Sequence, residues 1–556
     1  MTATGLPATP APPATPSTPN TGSAQGTVRR LIVYTLLFVL VTIAAIGLSG
    51  LLRRLLEVDD PLVLGDNTGL ALSLAFTLIG GPLAALLWWA VWRRLADESE
   101  RSSLAWGLYV AAMYTVSLIV AASALVGTAT ALVDGRWLPG DVSVGIVWAL
   151  VWAWHRAMWR HPTKHPSRMA TVPAVIGSVY GLVVGVGGAV NALGALFDAA
   201  LREASDRSIA GRPWWEDALQ ALIWLAVGGA IWWWHWYRDD ARRLETRFAA
   251  VALVVVGILA AGLLMLGGLG TTLWVVLRLA FDSSEPTAQL LVPLGTALAS
   301  ACMGAVVWWY HRRVAVERSH ATRRASELVM SGVGLIGVAS GIGIIVNTAL
   351  GALASPILAA DNRSLLFGGI SALVVGGPVW WLSWKPTRHV AASEIAQPGR
   401  RVYLVAVFGV SAVVALIALL VVGFRLFEFF LDPVTFSSLI ERVRAPFGVL
   451  LATALVFGYD FAVWRRDRSV IVAEGLAPAH RIGRVILVTA GDPSALEQAV
   501  RAATGASITV WRRPGEEPGV VPDASALARA FDGVTGKRVL MLAGPGDRVE
   551  VVPLAD

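Results

Sequence analysis

The sequence is poor in two kinds of residue on which many soluble and secreted proteins depend. It has one cysteine, Cys302, in 556 residues, so neither a disulfide framework nor a cysteine-based metal site can form. Charged residues make up only 15% of the chain, against about 25% in soluble domains. A chain that is 56% hydrophobic cannot hide its apolar surface in a globular interior. The composition therefore excludes a soluble protein.

The chain also lacks the motifs that mark common active sites. No His-Asp-Ser arrangement, catalytic carboxylate pair, phosphate loop or nucleotide fingerprint occurs in it. We therefore expect a protein that is not an enzyme, with no catalytic residues, no cofactor and no metal. The net charge of +7 comes from short basic clusters at the ends of apolar runs. Because membrane orientation signals lie at such places, we expect no nucleic-acid partner.

Long apolar runs are what the sequence does have. About 20 apolar residues are enough for a helix to cross a bilayer. The runs come in pairs and predict an all-α polytopic membrane protein of twelve spanning helices, near 31–51 and 70–92, 104–132 and 143–159, 172–200 and 217–237, 248–280 and 288–311, 327–352 and 366–384, and 402–431 and 446–464.

An internal repeat of roughly 75 residues organises these runs. Each unit has an apolar helix, an acidic loop, a second apolar helix ending in tryptophans and basic residues, and a basic loop. The pattern predicts six tandem hairpins, at 28–100, 101–169, 170–246, 247–321, 322–398 and 399–468. Residues 1–27, rich in Pro, Thr and Ala, predict a disordered tail. Residues 480–556 alternate strand and helix patterns, with Asp492 as a helix N-cap, and predict a small α/β domain.

The loops also predict an orientation. Lysine and arginine are concentrated in the loops on the side of the N-terminal tail, whereas the opposite loops are acidic. The positive-inside rule then predicts that both termini lie in the cytoplasm.

Several short motifs resemble a known family. Hairpins open with basic then apolar residues, as in VRRLIVYTLLFVL (28–40) and GRRVYLVAVFGV (399–410). Second helices end in Gly-Pro and tryptophans, as in VVGGPVWWLSWK (374–385) and IGGPLAALLWWAVWRR (79–94). Residues 28–468 resemble the bacterial membrane family catalogued as domain of unknown function 5671. The resemblance implies tandem two-helix hairpins in the inner membrane of a bacterium and no particular activity.

The ends of the second helices carry candidate lipid contacts. Tryptophan suits the membrane interface, and a nearby cation can reach phosphates. The alternatives are a specific site for anionic headgroups and a cofactor pocket. Because arginine or lysine replaces histidine in other units, we interpret the three histidines as interfacial cations rather than as metal or haem ligands. The candidates are Trp89, Trp92, Arg93, Trp154, His155, Trp233, His235, Trp236, Trp308, His311, Trp381, Trp384, Trp464 and Arg465.

Three polar residues within the spans are functional candidates. Asn191 and Asn347 recur in first helices, where they are expected to bond across helices, or alternatively to line a transport path. Asp460 is expected to pair with Arg465 or Arg466, or alternatively to bind a proton or cation.

These features predict a non-enzymatic scaffold or regulatory component that acts through lipids or through a protein partner of residues 480–556. The alternative is a secondary transporter or channel, which a polar cavity lined by an intramembrane candidate would favour. An integral-membrane enzyme is the third hypothesis. The oligomeric state is left open.

Overall fold

A computed structural model describes most of the chain. The described residues are 21–57, 67–204, 213–282, 285–354, 359–388, 395, 398–431, 436–473, 482–489, 493–513, 524–531, 534, 538–544 and 549–554.

Twelve long helices follow one another in the described residues, at the places where the apolar runs predict them. They are α1 (Thr21–Leu56), α2 (Asn67–Arg94), α3 (Leu104–Val133), α4 (Pro139–Trp159), α5 (Val172–Ala204), α6 (Trp214–Trp233), α7 (Arg247–Phe281), α8 (Leu294–Arg318), α9 (His320–Ala354), α10 (Ala359–Arg388), α11 (Pro398–Leu431) and α12 (Phe436–Ala473).

Ten of these helices are long and apolar enough to cross a membrane. The other two, α4 and α6, have about the length that a bilayer requires, but they carry acidic residues in the first turn and tryptophans near the end. Several predicted boundaries are wrong, and helix α12, for example, spans Phe436–Ala473 instead of 446–464. Helix α1 begins at Thr21 instead of near residue 31, so the predicted tail of 1–27 ends earlier, and residues 1–20 lie outside the described residues.

Helices that follow one another in the chain pack in pairs, and the pairs stack in a regular way. Within hairpins, α1 packs on α2, α3 on α4, α5 on α6 and α7 on α8. Between hairpins, the first helix of one packs on the second helix of the next, as α1 on α4, α3 on α6 and α5 on α8. The same packing of a first helix on the second helix of the next hairpin occurs further along the chain. Trp274 of α7 donates to the carbonyl of Ser364 in α10 (3.0 Å), and Gly343 of α9 contacts Gly448 of α12. The sequence repeat is thus a repeat of packing.

Small residues allow the helices of a hairpin to approach closely. In the third hairpin, a Cβ on Gly228 of α6 would collide with the backbone of Gly185 in α5. In the fifth, a Cβ on Gly376 of α10 would lie 3.0 Å from the Cα of Gly337 in α9. Helix association in lipid depends on such contacts, because lipid tails are as apolar as leucine.

The chain forms two compact units. The first holds residues 1–385 and 414–453, which include the first five hairpins. The second holds residues 386–413 and 454–556, which include the start of α11, the end of α12 and the C-terminal domain.

The C-terminal domain, here called the lobe (residues 482–554), has the predicted order of elements. These are β1 (Arg484–Thr489), α13 (Ser494–Thr504), β2 (Ser507–Arg512), α14 (Ala524–Phe531), β3 (Arg538–Ala543) and β4 (Val549–Leu554). Helix α13 ends where Gly505 adopts a left-handed conformation (φ +66°). The predicted N-cap, Asp492, lies outside the described residues.

The strands form one sheet in the order β2-β1-β3-β4. Strand β1 lies parallel to β2 and β3, whereas β4 lies antiparallel to β3. The core side chains lie on one face of the sheet, among them Val485, Leu487, Val539 and Met541, and pack with Leu496, Val500 and Leu527 of the two helices. Among the described residues, both helices thus cover the same face.

Candidate functional site

The predicted lipid contacts fall into two groups. Trp89, Trp154, Trp233, Trp381, Arg93 and Arg465 are exposed, and Trp92, Trp308 and Trp464 are half-buried, as an interfacial position requires. The Arg93 guanidinium lies 4.0 Å above the Trp89 ring. The other five are buried within the protein, so the prediction of a direct lipid contact is wrong for His155, His235, Trp236, His311 and Trp384.

Helix geometry explains why neighbours in sequence differ so strongly. Successive residues of a helix lie about 100° apart, so Trp154 faces outward while His155 faces the neighbouring helices. In the third hairpin a π turn (Trp234–Arg238) extends α6, and both His235 and Trp236 are buried there. Such turns re-aim side chains relative to a regular helix.

The three histidines share one arrangement. Their Nδ1 atoms lie 2.7, 2.7 and 2.8 Å from the carbonyl oxygens four residues earlier, those of Val151, Ile231 and Val307. Because a carbonyl only accepts, Nδ1 donates and Nε2 is free to accept. The Tyr109 hydroxyl bonds His155 Nε2 at 3.0 Å, and the Tyr114 hydroxyl bonds His235 Nε2 at 2.7 Å. These recurrent histidines are therefore buried residues that pack between helices.

One buried network joins the second and third hairpins at the ends that carry these segments, here called the basic ends. Asp239 has a fully buried carboxylate, which accepts two hydrogen bonds from Arg156 (3.1 and 3.2 Å) and another from Arg160. Arg156 also donates to the Tyr114 hydroxyl, which bonds His235. The sequence interpretation missed Tyr114, Arg156 and Asp239 because their contacts join different hairpins.

The junction of the third and fourth hairpins is also bonded at its basic end, where Trp232 Nε1 and Trp308 Nε1 are nevertheless buried without a hydrogen-bond partner among the described residues. Trp236 Nε1 donates to the Tyr310 hydroxyl at 2.8 Å, and the Tyr237 hydroxyl bonds the same oxygen at 2.8 Å. Arg318 donates to the carbonyls of Ala241 and Arg242 at 2.8 Å. Basic ends are thus fixed by hydrogen bonds between hairpins.

The first junction follows the same rule. Lys164 Nζ of the second hairpin donates to the carbonyl of Trp92 in the first at 2.8 Å, and within the first hairpin Arg30 pairs with Glu100 at 2.7 Å. Lys164 lies in a loop between spans, with Nζ 3.5 Å from the centre of the Trp92 ring. Desolvation lowers the pKa of its ammonium.

The opposite ends of the hairpins, here called the acidic ends, contain a cavity of about 580 Å³. Here called the acidic-end cavity, it lies between α5, α6 and the start of α8. Its polar lining comes from side chains on three segments, Asn191, Asp198, Arg202, Asp217, Gln220, Trp224 and Thr296. One of the intramembrane candidates, Asn191, therefore lines a polar cavity.

The other two intramembrane candidates lie elsewhere. Asn347 lies in α9 beside Gly448 of α12, and its Oδ1 atom is buried without a hydrogen-bond partner among the described residues. Asp460 is buried, and its Oδ2 has no partner there either. Arg465 and Arg466 are exposed, and the ion pairs of the described residues do not include Asp460. The structure therefore lacks the ion pair expected for Asp460.

The lobe has an open apolar face. On the face opposite its core, the strand register places Leu540 between Ile486 and Val552, and Val488 beside Leu542. None of these side chains is fully buried, and Trp511 at the edge is 57% exposed. Parallel strands are normally covered on both faces. In the described part of the lobe, the second face of the sheet therefore has no helix packed on it.

One protein family matches the part of the chain that forms the hairpins. Residues 30–141, 171–306 and 324–458 match the family described as domain of unknown function 5671, and together these stretches cover more than half of the chain. The chain belongs to this family. No curated protein and no solved structure matches it.

Each match to domain of unknown function 5671 begins within the first helix of one hairpin, or one residue before it, and ends in the second helix of the next. The six hairpins are therefore three copies of a two-hairpin domain. Asn191 and Asn347 lie in the first helices of the second and third copies. All residues of the acidic-end cavity lie within the second copy, and the lobe lies outside the three matches.

Proposed function

We propose that the protein is a non-enzymatic scaffold or regulatory component of the bacterial inner membrane, with both termini in the cytoplasm, which assembles through its lobe. The ten apolar helices and the exposed tryptophan and arginine residues at the basic ends support a membrane position. The excess of lysine and arginine in the loops at those ends supports the orientation.

The proposal of assembly rests on the open face of the lobe. Its middle row is Ile486, Leu540 and Val552, three apolar side chains on adjacent strands. Covering such a face removes apolar area from water, which stabilises a complex by about 25 cal/mol per Å² before the costs of association.

A second copy of the chain is the partner that the charges favour. The face has Arg484 and Arg538 at one end and Glu550 at the other. A two-fold axis between facing sheets, perpendicular to the strands, turns one copy end for end. Glu550 of one copy then comes within one strand of Arg538 of the other. The face is self-complementary, as a two-fold interface requires.

The size of the face explains why assembly needs the membrane. Four strands of six residues span roughly 20 by 20 Å, or about 400 Å². Stable interfaces bury about 800 Å² per partner. Anchoring both copies in one bilayer raises their effective concentration and offsets the small area.

The oligomeric state of the full-length protein in a bilayer tests the proposal, measured by stepwise photobleaching of the fluorescently labelled protein in lipid vesicles. We expect a dimer, and a monomer for Leu540→Glu, which places a carboxylate in the apolar row. Arg501→Glu, an exposed position on α13, is the matched control and stays dimeric.

A charge exchange covers the case in which Leu540→Glu fails to fold. Glu550→Arg places like charges together and weakens the dimer, and Glu550→Arg with Arg538→Glu restores it. A wild-type dimer fraction in both Leu540→Glu and Glu550→Arg would contradict the proposal.

Solute transport is the second candidate function, and one observation favours it. Asn191 lines the acidic-end cavity with six other polar or aromatic side chains in a helical membrane protein. Polar groups among spanning helices commonly mark a solute path.

A further inference from the structure

The acidic-end cavity is built by the matching faces of two helices. On α5 it is lined by Asn191, Ala195, Asp198 and Arg202, at intervals that place them on one side of a helix. On α6 the lining residues Asp217, Gln220, Ala221 and Trp224 follow the same spacing. Thr296 closes the third side. Polar groups from three segments thus converge on one space.

The small residues make room for the cavity and its carboxylate. Gly194 and Ala221 are among its lining residues. A Cβ on Gly295, just before Thr296, would collide with the Asp198 carboxylate. Asp198 therefore lies against the first turn of α8 because the residue there is glycine.

Several polar groups of the lining are not used by the protein. Among the described residues, the side chains of Asn191, Asp198 and Asp217 have no hydrogen-bond or ion-pair partner. Gln220 is different, because its Nε2 donates to Asp134 Oδ1 at 2.7 Å. Arg202 Nε donates to the backbone carbonyl of Asp198 at 3.1 Å. The free groups in the lining are therefore mostly acceptors.

Charge selects the class of ligand. Asp198 and Asp217 against Arg202 leave the lining with one net negative charge, and Trp224 adds an aromatic face that attracts cations. A volume of about 580 Å³ lies within the usual range for small-molecule sites. We propose that the acidic-end cavity binds an ammonium group, with Asp198 and Asp217 as its counter-charges and Trp224 as its aromatic wall.

The ammonium group can come from a free amine or from a lipid headgroup such as that of phosphatidylethanolamine. The inference names a ligand class for the cavity of the second candidate function, solute transport. It does not depend on transport, since a regulatory site would bind the same group. It is independent of assembly through the lobe.

Binding of radiolabelled choline to the full-length protein in phosphatidylglycerol nanodiscs tests the proposal. We expect saturable binding, which Asp198→Asn and Asp217→Asn each weaken about tenfold or more. Asp141→Asn is the matched control, because Asp141 lies in the first turn of α4 as Asp217 does in α6, but outside the cavity. Its affinity stays at the wild-type value.

Competitors define the chemistry and its source. The neutral isostere 3,3-dimethyl-1-butanol does not compete if the charge is recognised. Added phosphatidylethanolamine weakens choline binding if a headgroup is the ligand and leaves it unchanged if a free amine is. Uptake of choline into proteoliposomes separates transport from binding, because binding without uptake rejects transport alone.

Three results would overturn the ammonium site. They are the absence of saturable choline binding, equal competition by the neutral isostere, and equal loss in Asp141→Asn and Asp198→Asn.

Discussion

The two ends of the junction between the third and fourth hairpins differ in how many of their polar side chains are hydrogen-bonded across it. At the basic end, Trp236 and Tyr237 share the Tyr310 hydroxyl, and Arg318 is bonded to two backbone carbonyls. At the acidic end, the side chains of Asn191 and Asp198 face a cavity and make no hydrogen bond among the described residues.

The difference separates structural from functional polarity. A buried polar group bonded within the protein stabilises the junction, because leaving it unpaired would cost about 1–3 kcal/mol. A polar group that faces a cavity keeps its bonding capacity for a ligand. Three substitutions at or near this junction test the distinction.

The largest effect is expected for Trp236→Ala. Trp236 is 6% exposed, donates to Tyr310 and lies 5.4 Å from the His311 ring. Removing a buried tryptophan typically costs about 3–5 kcal/mol. Thermal unfolding in detergent should show this loss, whereas Trp233→Ala, at a position 48% exposed, should change stability by about 0.5 kcal/mol or less. Equal losses would mean that Trp236 is interfacial after all.

A smaller effect is expected for Gly257→Ala in α7. A Cβ there would lie 2.7 Å from two atoms of the His311 ring. Overpacking of this kind costs about 1–3 kcal/mol. Gly187→Ala is the control, because nothing lies within 4 Å of its Cβ position, and alanine favours a helix over glycine by about 0.5–1 kcal/mol. The two alanines should therefore shift the unfolding temperature in opposite directions, and shifts of the same sign would contradict the histidine packing.

Much of the fold could be predicted because local sequence patterns determine where its helices and strands lie. Apolar runs located all twelve long helices, and strand and helix patterns gave the order of the lobe. The motifs of residues 28–468 identified the family. The start of α1 was misplaced because the residues before Arg29 are polar but uncharged, and the helix extends through them to Thr21.

The sites were harder to predict because they depend on contacts between distant segments. The recurrence of His155, His235 and His311 was visible, but the face on which they lie was not, since a π turn changes it in the third hairpin. Polar residues spaced along one face, Asp217, Gln220 and Trp224, were a usable signal for the acidic-end cavity. No sequence pattern places α8 beside them, because that packing is set by the whole array of hairpins.

The smallest effect is expected for Asp198→Asn, and it is the sharpest test of the comparison. Asp198 has no side-chain hydrogen bond and no ion pair within 4.0 Å to lose among the described residues, and asparagine keeps its shape while removing a half-buried charge that only the nearby Arg202 attracts. Thermal unfolding without ligand should therefore change by about 0.5 kcal/mol or less. A loss near that of Trp236→Ala would show that Asp198 holds the junction together, and the acidic end would then be structural like the basic one. If stability is kept while choline binding falls, the carboxylate serves a ligand.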